Sequence, residues 1–391
     1  MSLNLDKSTW KRVRLGDVIR RSRTQVDPVG SGVERYVAGG HIDSEGVTIE
    51  RWGQVGDGQM GSTFRYVFKP GQVLFVSARP YLRKVGVPDF SGVVADKTYV
   101  LDAVSENGLL QEFLPFVLSS ESFVEYATAE ATGSMNPRLL WGPMQRYEFD
   151  LPPLDEQKRL VDTLWKVEHH RRAVSEVRLS LAVLRTQVFR SWLAEIDDWA
   201  ELGEQFEVQL GKMLSSRARP TADKPGYPYL ANINIRWGGF DLSNLRRVAL
   251  DDHEREKFLV RDGDILVCEG GEIGRAAIWD SRIEEVYYQK ALHRLRPKSG
   301  SALPGQLLIA FLRFIADEGH LAAHSAGSTF AHLTRERLVR VRIPSVSGAL
   351  AARVLNAMSS VDRALQAGQD EYARLVGLGK ALMLDVFEGG A

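Results

Sequence analysis

A chain that repeats itself has fewer folds open to it than its length suggests, and this 391-residue sequence repeats itself once. Trp10, followed by Leu15-Gly16-Asp17, returns as Trp199, followed by Leu202-Gly203-Glu204. PGQVLFV at 70–76 returns as RDGDILV at 261–267, and ADKTYVL at 95–101 as YQKALHRL at 288–295. ATGSMNPRLL at 131–140 pairs with SAGSTFAHLT at 325–334, and DLPPL at 150–154 with RIPSV at 342–346. The offset between copies stays between 187 and 194 residues along the chain, so order and spacing are both kept. Length alone favours two or three domains. The repeat makes two of them related.

Each copy follows one plan. Short β-branched and aromatic runs broken by Gly, Pro and Asn (RYVFKPGQVLFVSARP, YVLDAV, GDILVCEGG, RAAIWD) predict strands joined by turns. LLQEFLPFVLSSESFVEYA and GQLLIAFLRFIADEGHL predict helices. The expected class is α+β. A helix of about 40 residues then follows each globular part, long enough at 1.5 Å per residue to outreach a domain of this size. In the first helix Leu160, Val167, Val174, Leu181 and Val188 recur every seven residues, with Leu164, Val177, Leu184 and Trp192 beside them. In the second, Val354, Met358, Val361, Leu365, Tyr372, Leu375, Leu382 and Val386 step by fours and threes. Such spacing predicts a seam for helix–helix packing. Leu151-Pro152-Pro153 and Ile343-Pro344 punctuate the starts. The expected domains are 1–150, a helix over 151–197, a second domain over 198–345 and a closing helix over 346–391.

Catalytic motifs do not emerge. Gly270-Gly271-Glu272-Ile273-Gly274 lacks G-x-G-x-x-G spacing and reads as a turn. There is no G-x-x-x-x-G-K-[ST] loop, no H-E-x-x-H, and no third ligand suitably spaced from His320 and His324, so no metal is expected. The single cysteine, Cys268, lies in the apolar run DILVC and reads as a buried strand thiol. No stretch of about 18 apolar residues predicts a membrane span, and MSLNLDKSTWKR has no signal-peptide core; a cytoplasmic location is the expectation. With 50 basic and 50 acidic residues the net charge is zero, which argues against global nucleic-acid affinity. Locally, Arg65, Lys69, Arg79, Arg83, Lys84 and Lys97 face only Asp89 and Asp96, so a basic patch is possible.

Three segments resemble the specificity subunit of type I restriction–modification systems, across essentially the whole chain. They are Trp10 with Leu15-Gly16-Asp17 and its echo at Trp199, PGQVLFVSARPYLRKVG at 70–86, and FDLPPLDEQKRLVDTL at 149–164. The second copy departs from the last, because IPSVSGALAARV lacks the Glu156-Gln157 pair. The resemblance implies two target recognition domains separated by two long antiparallel helices, related by a pseudo-two-fold duplication. It implies a non-catalytic subunit that reads a split, asymmetric sequence in double-stranded DNA. Two DNA methyltransferase subunits and, for cleavage, two restriction subunits would bind around it. S-adenosylmethionine would sit on the methyltransferase, leaving this chain without a cofactor of its own.

Reading bases in the major groove takes Arg or Lys for guanine and Asn or Gln for adenine, presented on loops. In the first domain the candidates are Arg79, Tyr81, Arg83, Lys84, Lys97, Thr98, Ser134, Asn136 and Arg138. In the second they are Arg275 with Glu272, then Gln289, Lys290, Ser328, Thr329 and His332. Gln54, Gln59, Asn232, Asn234, Arg236 and Trp237 are weaker additions. Three other functions remain open at this point: the specificity subunit of a fused restriction–methylation enzyme, a coiled-coil scaffold that does not bind DNA, and an enzyme that methylates DNA by itself.

Overall fold

The computed structural model describes residues 5–214, 220–221, 226–301, 303–319, 321, 332–346 and 348–388. By internal contacts the chain forms two compact units, Met1–Arg178 with Ala367–Ala391, and Leu179–Gln366.

The first unit carries an antiparallel sheet in the order Ile19–Ser22, Thr98–Ala103, Val73–Val76, Val85–Gly86. The strand from PGQVLFV is buried along its length because both its faces are covered. Val73 and Phe75 join one core with Leu15, Phe113, Leu114 and Phe123, while Leu74 and Val76 join another with Val37, Ile42 and Phe68. That is the period-2 alternation of a strand serving two cores. A second sheet, in the order Gly53–Gln54, Arg35–Val37, Gly92–Ala95, Phe64–Phe68, has a parallel pair at its centre.

The second unit repeats this plan. Its antiparallel sheet runs Phe206–Leu210, Leu292–Pro297, Ile265–Cys268, Ala276–Ile278. Ile265 and Val267 face one core, and Leu266 and Cys268 the other. Gly226–Leu230 again pairs in parallel, here with Tyr287–Tyr288. Cys268 is a wall of the second core, and burial pushes its thiol up to about 11, far from the range of a reactive thiolate. The segment Gly270–Gly274 turns between two paired strands, as its spacing suggests.

The Leu-Gly motif closes each domain on itself. Lys11–Arg14 pairs with Glu148–Leu151, and Trp199–Glu201 with Arg342–Pro344. The Leu15 N–H donates to the Tyr147 carbonyl at 2.8 Å, and the Leu202 N–H to Val341 at 2.8 Å. A Cβ on Gly16 would stand 2.7 Å from the Gln145 Cβ, and one on Gly203 2.9 Å from the Val339 Cβ. Only glycine lets these segments meet.

The long helices are Leu154–Leu193 and Gly348–Phe387, 40 residues each. Both units contain a segment of each helix, and within each unit the two segments run antiparallel. In the first unit Leu160 and Val386 share a core, Leu164 and Leu382 share another with Val47 and Phe116, and Arg171 reaches Tyr372. In the second, Arg185 pairs with Asp362 at 2.8 Å, and Phe189 and Trp192 share a core with Val354 and Met358. Leu160, Val354, Met358, Leu375 and Leu382 are buried. Val167, Val174, Leu181, Val188, Val361 and Leu365 are half-buried, whereas Val177 and Leu184 face outward. A straight helix with 3.6 residues per turn drifts by about 20° per heptad from a strict seven-residue series. By the end of the first helix the core position has therefore passed from Val188 to Phe189, which is 1% exposed.

The first helix is bolted to its domain at the start. Gln157, 0% exposed, accepts from the Leu110 N–H at 2.9 Å and donates to the carbonyls of Gly108 and Pro152 at 2.7 and 2.8 Å. The Trp10 indole donates to Glu156 at 2.9 Å. Further along, Glu168 is buried. It accepts from the Val47 and Thr48 N–H groups at 3.0 and 3.2 Å and pairs with Arg171 at 2.8 Å. No helix among the described residues is long and apolar enough to cross a membrane.

Candidate nucleic-acid interface

Three loops converge at one corner of the first domain, and backbone hydrogen bonds bring them together. The Ser77 N–H donates to the Lys97 carbonyl at 2.8 Å, the Arg79 N–H to Pro137 at 2.7 Å, and the Leu139 N–H to Ser77 at 2.9 Å. This places 77–84, 95–98 and 131–139 side by side, so the candidates scattered along the first domain's sequence do meet. Two of these three bonds recur in the second domain among the described residues. The Glu269 N–H donates to Ala291 at 3.0 Å and the Leu333 N–H to Glu269 at 2.8 Å. The carbonyl closing the third loop is capped from the sheet in both: Tyr99 donates to Leu139 at 3.0 Å, and His293 Nε2 meets the Leu333 carbonyl at 2.7 Å. Burial holds the His293 imidazole below its ordinary value, favouring the neutral ring despite the opposing pull of the Leu333 carbonyl.

The candidates divide by what their side chains already touch. Arg138 donates to the Ser77 hydroxyl at 2.9 Å and the Asp96 carbonyl at 2.6 Å, and pairs with the Asp96 carboxylate at 3.3 Å. It clamps the third loop to the second. Arg83 is ion-paired with Glu121, and Lys84 donates to the Gly39 carbonyl. Thr98, at 4% exposure, is not a loop residue: the ladder opposite Val76 extends to it and turns it inward. Arg79, Tyr81, Lys97, Ser134 and Asn136 are exposed, with no side-chain hydrogen bond or ion pair among the described residues. These five make up the open polar face of the corner.

In the second domain Arg275 pairs with Glu272 at 2.6 Å and donates to the Asn232 carbonyl at 2.9 Å, fastening the glycine-rich turn to a neighbouring segment. The Trp237 indole donates to Glu272, and the Asn232 amide to Gly270 at 3.0 Å. Asn234 is buried and caps its own loop. Arg236 is tied to Asp241 at 3.0 Å. Gln289, Lys290 and His332 carry no such side-chain bonds among the described residues, and Lys290 and His332 are exposed. Ser328 and Thr329 lie outside the described residues.

Sequence reasoning passed over Arg21 and Arg23. Arg21 lies 4.2 Å over the Tyr99 ring and 5.8 Å from the Tyr66 ring, while Arg138 sits 5.8 Å from Tyr99. Burial holds the Arg21 guanidinium below its ordinary value, and Arg23 and Arg138 add repulsion. The signal was present as the run Arg20-Arg21-Ser22-Arg23, but alternation along a strand does not say which of these residues stacks. Arg21, Arg23, Arg79, Lys97 and Arg138 make the first domain locally basic within a neutral chain. Among the described residues no group of three or more His, Cys, Asp or Glu could hold a metal.

A two-core β-domain followed by a 40-residue helix occurs twice along the chain. Residues 196–369 match the family model for the type I restriction modification DNA specificity domain. That match covers the second globular part and about the first half of the closing helix. The fold of the chain is similar to that of a chain from a structure on complex assembly and conformational transition of the type I R-M system. The TM-score is 0.58, with 22% identity over 96% of each chain. The S subunit of a type I restriction-modification system from M. genitalium gives a TM-score of 0.58 and 15% identity, over 100% of each chain.

Proposed function

We propose that this chain is the non-catalytic specificity subunit of a DNA methyltransferase complex, and that its two domains read the two halves of an asymmetric, split sequence in double-stranded DNA. The observation that carries this reading is the shared corner. Two of the same main-chain bonds recur at the corner of both domains, yet the free side chains among the described residues differ: Arg79, Tyr81, Lys97, Ser134 and Asn136 against Gln289, Lys290 and His332. A common frame with different donors and acceptors suits two different half-sites. The basic groups around Tyr99 suit phosphate contacts, which position a protein on the duplex without specifying sequence.

Under this reading methyltransferase subunits bind around the chain and supply S-adenosylmethionine and the methyl-transfer chemistry, and restriction subunits join where cleavage occurs. Adenine must leave the stack to be methylated, and binding energy gathered at both half-sites offsets that step. Mapping methylated adenines across the genome, with and without this chain, tests the proposal. The expected result is one bipartite motif that loses its methylation when the chain is absent. An unchanged map refutes it. Inserting four residues into the first long helix should change the gap of that motif and leave both half-sites intact.

A further inference from the structure

Arg79 and Arg83 both adopt left-handed backbone, with φ of 52° and 54°, at the two ends of one 3-10 turn, Pro80–Leu82. L-residues rarely adopt that region, and among the described residues Ser281 alone of the other non-glycines shares it. Such strain persists where the surroundings over-determine it, and it gathers at functional sites. Here the surroundings do so. Pro80 is buried, the Arg79 N–H donates to Pro137 at 2.7 Å, and the Leu82 and Arg83 N–H groups each donate to their turn at 2.9 Å. Arg83 is ion-paired with Glu121, and Lys84 donates to the Gly39 carbonyl. Both ends of the turn are fastened.

What this fastening holds outward is apolar. Tyr81 is 49% exposed and Leu82 37%, and Met135 on the adjoining loop is 90% exposed. Among the described residues the Tyr81 hydroxyl has no hydrogen-bond partner and its ring no stacking partner. Arg79, which flanks it, is free as well. A loop built only to connect two strands gains nothing from holding an aromatic ring in water on a strained, rigid support.

We infer that the Arg79–Arg83 turn is a wedge. Tyr81, backed by Leu82, enters the base stack of double-stranded DNA at one step of the first domain's half-site, while Arg79 holds the adjacent phosphate. This rests on the proposed DNA-reading function. Apolar side chains open base steps in this way, and an aromatic face stacks on any base. The preference it creates is for deformability: pyrimidine–purine steps open most easily, so such a step should occupy the wedge position. The wedge belongs to one half-site. The matching turn of the second domain, Gly270–Gly274, carries Glu272, tied to Arg275 and Trp237, in place of an exposed ring.

The test is selection from a randomised duplex DNA library by the full chain bound to its methyltransferase subunits. Wild type, Tyr81→Ala and Tyr81→Phe are compared. Wild type and Tyr81→Phe should enrich the same bipartite motif. Tyr81→Ala should lose preference at one pyrimidine–purine step, on the order of 10-fold, while keeping the other half-site, which shows that its fold is intact. With 2-aminopurine at that step, wild type should raise the fluorescence on binding and Tyr81→Ala should not. If Tyr81→Ala selects the wild-type motif with equal stringency, or if 2-aminopurine stays silent throughout the half-site, the wedge is refuted. A wild-type complex that enriches no sequence overturns the DNA-reading proposal, and the wedge with it.

Discussion

Glu168→Gln is the most incisive perturbation of the first unit. Glu168 and Arg171 have side chains only 8% and 11% exposed, and both charges sit where the first helix meets the 44–48 loop. Glu168 accepts from two backbone N–H groups and the Thr48 hydroxyl, and Arg171 continues the chain of bonds to Tyr372 at 2.8 Å. A glutamine can still accept one or two of these bonds, but it leaves Arg171 without its counter-charge. Removing one partner of a buried pair costs about 3–5 kcal/mol. The surviving acceptor argues for the lower end, about 3 kcal/mol. For a unit of about 200 residues, 1 kcal/mol shifts Tm by about 2–4 °C, so the expected loss is about 6–12 °C in a thermal melt. Adding Arg171→Met removes the stranded charge and should restore at least half of that. A loss below about 2 °C, or a double variant as unstable as the two single losses summed, would refute the account of Glu168 and Arg171 as a coupled pair.

Two further predictions follow from the same physics. Burial raises the Glu168 carboxyl, but Arg171, Thr48 and the Val47 N–H outweigh that and hold it below its ordinary value of 4.5. A depressed folded-state value stabilises above the unfolded value and loses its effect as pH falls through the folded one. The stability gap between wild type and Glu168→Gln in urea titrations should therefore be full above pH 4.5 and shrink below it; a gap independent of pH would contradict this. Gly16→Ala and Gly203→Ala should each cost about 1–3 kcal/mol by overpacking, because the new Cβ would meet Gln145 at 2.7 Å or Val339 at 2.9 Å. Unchanged melts for both would show that the closing strands yield.

How far the sequence reached depends on the kind of regularity involved. The repeat, the two long helices and the strands from PGQVLFV and RDGDILV were legible because order, period and apolar runs are local properties. The meeting of loops 77–84, 95–98 and 131–139 was foreshadowed by their joint recurrence in the second copy. What stayed hidden was partnership. Arg79 and Arg83 look equivalent in sequence, yet one is free and the other is paired with Glu121 across 38 residues. Thr98 reads as a loop residue in the sequence because nothing local marks where a ladder stops. Gln157 carried a sequence signal in its Asp-Glu-Gln context, but its burial against Gly108 and Leu110 depends on a loop 47–49 residues away. Val177 and Leu184 show the remaining limit: an apolar residue beside a seam need not turn toward it.

The bonds that gather the three loops have a consequence for how such a protein changes over time. Those that recur in the second domain run between main-chain atoms, so position 77 can be serine where position 269 is glutamate. Substitution at the exposed side chains of Tyr81, Lys97, Ser134 and Asn136 leaves those bonds in place. A lineage can change these exposed side chains, or inherit a loop from a relative, without rebuilding the scaffold beneath them.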